Sequence, residues 1–336
     1  MASGFLTEFY IASYGEDGAA VRFGLSADGH MTQLGRIPLP NPMWIEWFPD
    51  RAALGAILRD DKRGDRYVVV REGEDAPLEG PVLTRGVEVC HFARQGRDVY
   101  CANYESGSVA WIRDGQTTLR QHRVPEDGAC GPNRDRQRGP HCHQCLLSPC
   151  GRFVLVCDLG LDTVFVYDRE LGPVSRAKVP DGYGPRHAVF SRDGQRLYVL
   201  SEMASAVTEF DWDGERGVLS SPRSIRFTGI TGRLTDAASI VLSKDGEHLY
   251  CSNRGDAHTL AHLTTAGGLR LVSEIPSGGE HPRAIQPVGG GEYLVVCNTF
   301  SDRVTLFRVG PDGELRRAGD TPIPKPLCVT EIQERQ

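Results

Sequence analysis

A strand–turn–strand pattern recurs five times along the 336 residues and limits what the chain can fold into. Each copy has a turn glycine, an apolar strand, a small polar residue at position +7 and a second apolar strand. The anchor glycines, 43 to 55 residues apart, are Gly96, Gly151, Gly194, Gly246 and Gly291. The +7 residues are Asn103, Asp158, Ser201, Asn253 and Asn298. A repeat of this length with one β-hairpin per copy is typical of a β-propeller.

The number of blades follows from the remaining segments. NPMWIEWFPDRAALGAILRD from Asn41 is a weaker sixth copy. FYIASYG and AAVRFGL near the start predict outer strands, and CVTEI near the end predicts an innermost strand, so the two termini together would complete a seventh blade. We therefore predict an all-β, seven-bladed β-propeller with residues 1–336 as one domain. The connections Gln116–Arg138 and Gly214–Thr235 are polar, so we expect exposed loops, which commonly carry function.

Composition and charge exclude several classes of protein. The 39 Gly and 21 Pro residues argue against a helical bundle. A net charge of −6 argues against nucleic acid as a partner. The chain shows neither an export leader nor an apolar run long enough to cross a membrane, so we expect a cytoplasmic protein without a membrane partner. Ten cysteines spread over strand-like runs are then reduced thiols. The sequence leaves the oligomeric state open.

The repeat also predicts where functional side chains meet. In a propeller the first strand of each blade lines the central channel, so residues at the beginnings of these strands should surround one mouth. Reading back from the anchors gives His91, His143, Arg186, His187, Ser239 and Arg283. The region near position +7 adds Asp158, Glu202 and Arg254 if the connections return to the same end.

Arginines, histidines and a carboxylate around one mouth suit a small anion rich in oxygen. Arginine pairs with carboxylate or phosphate and stabilises negative charge on a carbonyl oxygen, while His or Glu can transfer a proton. Each residue also has a purely structural alternative. A single histidine such as His91, His187 or His281 can bond to the backbone, Arg186 and Arg254 can form ion pairs, and Glu202 can lie on the surface.

A structural zinc site is the second chemistry to weigh. The candidate ligands are Cys130, Cys142, Cys145 and Cys150 with His141 and His143. A second C-x₂-C step is missing, and cysteine occupies apolar positions elsewhere in the repeat. We therefore predict no metal and no cofactor. Phosphate-binding loops and the G-x-S-x-G motif of serine hydrolases are also absent from the sequence.

Several stretches resemble a known family. They are the run from Gly131 to Asp168 that begins GPNRDRQRGPHCH, GPRHAVFSRDGQRLYVLSE from Gly184, SNRG from Ser252 and GEHPR from Gly279. From about Gly86 to the C-terminus the chain is similar to the bacterial 6-phosphogluconolactonase family of seven-bladed propellers, which includes fungal 3-carboxy-cis,cis-muconate lactonizing enzymes. The resemblance implies metal-independent chemistry on a lactone ring.

Site residues carry over from the matching motifs. In the fungal cyclases a histidine, two arginines and a glutamate act, which implies catalytic roles for His141 or His143, Arg186, Glu202 and Arg254. His281 and Arg283 would bind the substrate's phosphate or carboxylate, and His91, Asp158, His187 and Ser239 complete the expected binding set. Ser239 stands where the family usually has glutamate. In NPMWIEWFPD, which replaces an NPSYL-like run, Trp44 or Trp47 would change the shape of the pocket.

Three functions are consistent with these residues. The first is hydrolysis of a small anionic sugar lactone, 6-phosphogluconolactone before others, in which Arg186 and Arg254 bind the anionic group and polarise the ring carbonyl. Water would be activated by His143, His141 or Glu202. The second is cycloisomerisation of a carboxylated muconate by the same residues. The third, prompted by Ser239, is a non-catalytic propeller that binds a partner or a small anion.

Overall fold

The structure is a computed structural model that describes residues 4–124, 130–230 and 235–333. Within these ranges the chain forms 28 β-strands and two 3-10 segments, Gly289–Gly291 and Thr299–Ser301. No helix in the described part of the chain has the length and apolar character needed to cross a membrane.

The strands form seven four-stranded antiparallel sheets, numbered here as blades 1 to 7. The first three strands are β1 (Thr7–Ser13), β2 (Ala19–Leu25) and β3 (Met31–Pro38). Blades 2, 3 and 4 follow as β4 (Pro42–Phe48), β5 (Ala53–Leu58), β6 (Arg66–Val70), β7 (Glu79–Leu83); β8 (Val89–Gln95), β9 (Asp98–Asn103), β10 (Ser108–Arg113), β11 (Gln116–Gln121); and β12 (Cys142–Leu147), β13 (Phe153–Asp158), β14 (Thr163–Asp168), β15 (Pro173–Lys178). Blades 5, 6 and 7 are β16 (Pro185–Phe190), β17 (Arg196–Ser201), β18 (Ala206–Asp213), β19 (Val218–Arg226); β20 (Ala237–Leu242), β21 (His248–Asn253), β22 (Thr259–Thr264), β23 (Arg270–Pro276); and β24 (Pro282–Val288), β25 (Tyr293–Asn298), β26 (Arg303–Val309), β27 (Leu315–Pro322). The last strand, β28 (Pro326–Glu331), completes blade 1 beside β1.

The predicted seven-bladed propeller is confirmed, including its closure by both termini. The strand that contains CVTEI pairs with β1, so that Ala12 faces Cys328 across the ladder. A hydrogen bond of 2.7 Å between Thr7 Oγ1 and Glu331 Oε1 joins the same two strands. The innermost strands β4, β8, β12, β16, β20, β24 and β28 contact one another in succession around the ring.

The two connections expected to be loops each contain the outer strand of a blade. β11 lies within Gln116–Arg138, and β19 lies within Gly214–Thr235. An outer strand has one neighbour and exposes most of its side chains, so it lacks the apolar alternation that identifies the inner strands. Residues 125–129 and 231–234 of these connections lie outside the described residues.

The cysteines behave as small apolar residues. All ten are free, and eight of them are buried. Cys101, Cys157 and Cys297 on the second strands of their blades pack in the apolar clusters between neighbouring blades. The thiols therefore belong mainly to the core.

A β-bulge at the second or third residue of every innermost strand decides what reaches the channel. In blade 5, Pro185 pairs with Ser201 and His187 with Leu200, which leaves Arg186 as the extra residue. The extra residues around the ring are Leu327, Met43, Cys90, His143, Arg186, Ala238 with Ser239, and Arg283. A bulge re-aims a side chain out of the regular alternation of a strand. Blades 1 and 2 supply apolar residues at this position, whereas blades 4, 5 and 7 supply histidine or arginine.

Candidate active site

Strand pairing brings a second set of residues to the bulged end of the channel. The first residue of an innermost strand pairs with the last residue of the second strand, as Pro185 does with Ser201. Glu202 follows directly and therefore lies beside Arg186. Arg254 in blade 6 is placed in the same way, because it follows the end of β21. The structure thus brings these three residues together at one mouth, as the repeat predicts.

Glu202 is the centre of this cluster. Its Oε2 lies 2.8 Å from Arg186 Nε and 2.9 Å from Arg254 Nη2, and its Oε1 lies 2.5 Å from Arg136 Nη2. Glu202, Arg186 and Arg254 are each less than a tenth exposed. One carboxylate therefore fixes three guanidinium groups at the mouth.

The cluster holds Glu202 in its ionised form. Burial alone would raise the pKa of Glu202, but the guanidinium groups of Arg254, Arg186 and Arg136 lower it to about 2. Burial and the neighbouring Arg254 lower the pKa of Arg186 to about 9. Both oxygens of Glu202 are occupied and its affinity for protons is low, which makes it an anchor for arginines and a poor general base.

Arg136 is a site residue that the sequence analysis missed. Besides Glu202, its guanidinium lies 3.4 Å from the hydroxyl of Tyr104 and 3.9 Å from Asp236 Oδ1. Arg136 lies in the first long connection, and Asp236 directly follows the end of the second, so the first connection contributes a residue to the site. Asp236 also supplies a carboxylate near the mouth in the blade where Ser239 lacks one.

Gln137 holds this connection in place. Its side-chain amide donates to Leu159 O at 2.8 Å and to Asp162 Oδ1 at 2.9 Å, and it is almost fully buried. Its Oε1 accepts the N–H of Asn133 at 3.1 Å. The glutamine of the GPNRDRQRGPHCH stretch therefore has a structural role, because it fixes the loop that carries Arg136. The adjacent arginine and glutamine in that stretch were the signal that could have identified Arg136.

Three histidines from blades 3, 4 and 5 meet in the mouth. The ring of His187 lies 5.7 Å from that of His91 and 5.2 Å from that of His143. Burial and Arg186 lower the pKa of His91 to about 3, and the same two causes place the pKa values of His143 and His187 well below the ordinary range. The Nδ1 atoms of His91 and His143 have no hydrogen-bond partner. These imidazoles are therefore neutral at physiological pH.

Of the two tryptophans, only Trp44 reaches the mouth. Its ring lies 4.3 Å from His91 and 5.8 Å from His187. Trp47 instead packs against Tyr10 at 6.1 Å and donates to the carbonyl of Gln333. Trp44 therefore forms an aromatic wall of the mouth on the side of blade 2.

His141 and Tyr104 form a stacked pair at the edge of the site. Their rings are 4.6 Å apart, and His141 Nδ1 lies 3.0 Å from the carbonyl of Tyr104. This carbonyl fixes the proton of His141 on Nδ1, which leaves Nε2 as the acceptor. The ring of His143 lies 5.6 Å from the same tyrosine.

Asp158 does not face the mouth. It is fully buried, and its Oδ1 accepts the N–H groups of His141 at 2.8 Å and Leu161 at 3.1 Å. Its Oδ2 lies 2.6 Å from His122 Nδ1. Because both oxygens are engaged, the position favours a role in holding His141 over contact with a substrate.

The remaining expected residues lie on blades 6 and 7. The guanidinium of half-buried Arg283 forms no hydrogen bond or ion pair with any described residue. His281 stacks on Phe300 at 4.0 Å, and burial with Arg254 lowers its pKa to about 3. Ser239 Oγ accepts the N–H of Ile285 at 3.3 Å and thereby links the two blades. Arg283 is thus a cation at the mouth without a counter-charge of its own.

The cysteines and histidines considered for zinc do not form one site. Cys145 is buried in the core, and Cys150 is exposed at a turn, 3.4 Å from Ser148 Oγ. Across residues 4–124, 130–230 and 235–333, the one group of three ligand-type side chains is His122, Cys142 and Asp158. That group lies in the interior and outside the mouth.

Comparison with known proteins identifies the family. A sequence model described as "Lactonase, 7-bladed beta-propeller" matches residues 8–331. The chain belongs to this lactonase family. The match extends well beyond the segment that starts near Gly86, so the first two blades belong to the lactonase propeller as well.

Individual relatives agree with this family assignment. The 6-phosphogluconolactonase of Bacillus subtilis is 25% identical over 346 residues, which cover 97% of this chain and 98% of that protein. An uncharacterized protein of Lactococcus lactis is 29% identical over 281 residues, 80% of each chain. Among solved structures, the periplasmic gluconolactonase of Pseudomonas aeruginosa superposes with a TM-score of 0.84 at 25% identity, with 98% of this chain and 99% of that chain covered.

Proposed function

We propose that the protein is a lactone hydrolase for a small anionic sugar lactone, with 6-phosphogluconolactone, hydrolysed to 6-phosphogluconate, as the leading candidate. The observation that carries the proposal is the unpaired Arg283 beside arginines already fixed by Glu202. The family and its relatives named gluconolactonase or 6-phosphogluconolactonase support the same reaction.

The charge of the mouth favours a doubly charged substrate. Four arginines face two carboxylates, Glu202 and Asp236, which leaves an excess of positive charge. A phosphate monoester carries about −1.5 to −2 charges at neutral pH and would balance that excess. Arg283, whose donors are free, would bind the phosphate.

The fixed arginines would stabilise the transition state. Arg186 also donates to the carbonyl of Ala238, and Arg254 Nε donates to the carbonyl of Asp236 at 3.2 Å. Their orientation is therefore set before a substrate arrives. Preorganised donors aimed at the lactone carbonyl oxygen would stabilise the negative charge that develops when water attacks the carbonyl carbon.

A neutral histidine would move the proton. His143, with an unpartnered ring nitrogen, would take a proton from water as the new C–O bond forms. The tetrahedral intermediate then breaks the bond between carbonyl carbon and ring oxygen, and the imidazolium returns its proton to that oxygen. The product is the open hydroxy acid. His141, with Nε2 as its free acceptor, is the alternative base.

The remaining site residues would have supporting roles. His187 Nε2, 3.3 Å from Arg186 Nη1, would hold this arginine, and His91 would complete the aromatic wall with Trp44. His281 would lie beside the bound phosphate, and Ser239 would fix blade 6 against blade 7. Asp158 would act only through the backbone of His141.

Two broader properties belong to the same proposal. Residues 1–336 would act as one domain, since strands from both termini share blade 1. The protein would work in the cytoplasm, where its ten free cysteines stay reduced.

The deciding experiment is hydrolysis of freshly prepared 6-phosphoglucono-δ-lactone, measured above the spontaneous rate. Unphosphorylated glucono-δ-lactone is the matched substrate that lacks the charge. We expect faster turnover of the phosphorylated lactone. If neither lactone is turned over, and the ultraviolet absorbance of the diene of a carboxylated muconate is lost, the protein is a cycloisomerase and not a hydrolase. Binding without turnover of any of the three would leave the anion-binding propeller.

Arg283→Met should weaken binding of the phosphorylated lactone selectively. Loss of a hydrogen-bonded charge costs about 1.5–3 kcal/mol, which corresponds to roughly a 10- to 100-fold rise in KM. We expect kcat to stay within about threefold of wild type, because Arg283 binds the phosphate and not the reacting carbonyl. Steady-state kinetics on both lactones test this. Arg308→Met at the opposite end of blade 7 is the control, and an equal loss on the uncharged lactone would contradict the assignment.

The pH dependence should reflect neutral histidines. A general base works only when deprotonated, so activity is lost as the pH falls through its pKa. Because the pKa of His143 lies well below the ordinary range, kcat/KM for unphosphorylated glucono-δ-lactone, which has no phosphate that titrates near pH 6, should be constant from about pH 5 to about pH 8. It should fall only under more acidic conditions. Initial rates corrected for spontaneous hydrolysis provide the profile. A transition near pH 6.5, the ordinary histidine value, would show that the base is solvated.

A further inference from the structure

Four buried polar side chains form a group outside the mouth, and the proposed reaction gives none of them a contact with the substrate. His122 Nδ1 lies 2.6 Å from Asp158 Oδ2, and His122 Nε2 lies 2.9 Å from the hydroxyl of Tyr167. Cys142 Sγ lies 3.3 Å from the same Nδ1. All four residues are at most 5% exposed. Burying several polar groups together is energetically costly unless they are hydrogen-bonded, so we expect this group to have a structural or functional role.

The group connects two blades at the start of a site strand. His122 follows β11 of blade 3, and its N–H donates to the carbonyl of Gly107 at 3.0 Å. Asp158 and Tyr167 belong to blade 4. The other oxygen of Asp158 accepts the N–H of His141, the residue before β12. A chain of hydrogen bonds thus runs from the blade 3–4 connection to the backbone of the GPHCH segment.

We propose that His122 is a positioning residue: it orients Asp158, which holds the backbone of His141 so that the bulge of β12 presents His143 to the mouth. His122 donates from Nδ1 to Asp158 and accepts at Nε2 from Tyr167. The inference rests on the proposed function only in that His143 serves as the base. The geometric part of the inference stands without it.

The distances favour hydrogen bonding over a metal ion. In a tetrahedral site with bonds of about 2.0 Å to nitrogen and oxygen, two ligand atoms are separated by about 3.3 Å. The 2.6 Å between His122 Nδ1 and Asp158 Oδ2 is a hydrogen-bond distance. His122 Nε2 and both oxygens of Asp158 already have partners in the interior. The distances and partners therefore describe a hydrogen-bonded cluster and not a metal site.

Two substitutions of similar shape test the contacts of His122 Nδ1 and His122 Nε2 individually. In His122→Asn, the side-chain amide nitrogen can occupy the position of Nδ1 and donate to Asp158, but contact with Tyr167 is lost. In His122→Gln, the longer side chain reaches Tyr167 but places no donor at the position of Nδ1. Both keep the buried site polar. Tyr167→Phe removes only the distal hydroxyl and is the matched control for loss of that contact.

The first measurement is independent of activity. Imidazole ¹H–¹⁵N NMR spectra of the full-length protein report the environments of His141 and His143, assigned with single variants of each. We expect His122→Gln to shift or broaden both signals, and His122→Asn and Tyr167→Phe to preserve them. The signals of His262 in blade 6 serve as an internal control. Unchanged His141 and His143 signals in His122→Gln, or equal changes in the Asn and Gln variants, would overturn the proposal.

The second measurement is kinetic. A displacement of about 1 Å at a catalytic group costs about 100-fold in rate, so His122→Gln should lose roughly 10- to 100-fold in kcat, with KM within about threefold because the arginines are unaffected. His122→Asn should recover most of kcat. A purely structural role would lower the melting temperature and leave kcat of the folded protein unchanged, which would overturn the proposal. The proposal would also be overturned if the purified wild type contained one equivalent of zinc and the His122→Asn variant contained none.

If the wild type hydrolyses no lactone, the NMR comparison still decides. Altered His143 signals in His122→Gln would then support the positioning of His143 while the proposed function fails. If the His143 signals in His122→Gln are also unaltered, both the positioning role of His122 and the proposed function are contradicted.

Discussion

Replacing Arg186 with methionine should lower kcat/KM for the lactone by about 10²- to 10³-fold and leave the propeller folded. The loss is that expected when one preorganised donor to a developing oxyanion is removed. Folding should survive, because Glu202 keeps Arg254 and Arg136 as partners when Arg186 is absent. Steady-state kinetics with thermal unfolding of the same samples test both parts.

Two further variants make the result specific to the mouth. Arg196→Met is the matched control, since Arg196 also pairs with a buried glutamate, Glu209, but at the opposite end of blade 5. It should retain wild-type kinetics. Arg186→Lys keeps the charge but not the planar set of donors that reaches both Glu202 and the carbonyl of Ala238, so its activity should be intermediate. Full activity of Arg186→Met would contradict the proposed site.

Glu202→Gln should be the most destabilising substitution at the mouth. It leaves three guanidinium groups, two of them almost fully buried, without their common counter-charge. Removal of one partner from a buried ion pair costs about 3–5 kcal/mol. The free energy of unfolding, measured by urea denaturation at neutral pH, should fall by that amount, and lactone turnover should fall with it because the arginines lose their fixed positions.

The pH dependence of this loss identifies its cause. The folded-state pKa of Glu202, about 2, lies below its ordinary value, so the ionised group contributes its full stabilisation above the ordinary carboxyl range. That stabilisation disappears as the pH falls through about 2. The difference between wild type and Glu202→Gln should therefore be constant near neutrality and shrink under acid. Glu209→Gln is the control, because its partners Arg196 and Arg223 are about half exposed and remain hydrated. An equal loss in both variants would show that the cluster has no special role.

The sequence predicted the residues that depend on the repeat and missed those that do not. His143, Arg186 and Arg283 could be located because the same bulged position recurs in each innermost strand. Arg136 could not, because its approach to Glu202 depends on the path of a connection that no periodicity describes.

The recurring polar residue at position +7 has a structural role, whereas the sequence predicted a substrate-binding role for Asp158. Asn103 donates to Ser108 Oγ at 3.0 Å and Asn298 to Thr305 Oγ1 at 3.0 Å, so these residues bind the strand that follows within their own blades. The pattern recurs because the turns of the fold need it. Glu202, Arg254 and Tyr104, each one position further along, turn toward the mouth or its edge. A one-residue difference of this kind depends on the local backbone, which composition and spacing do not specify.

The pairing of β1 with β28 has a consequence for synthesis on the ribosome. The two strands are joined by residues 324 positions apart, so β1 leaves the ribosome long before its neighbour exists. Until then one edge of blade 1 has unpaired backbone groups, and such edges promote association between nascent chains. Ring closure must wait for almost the whole propeller to be translated. A circular permutant opened at a connection between blades would allow every blade to form from continuous sequence, and it should aggregate less during refolding than the natural order.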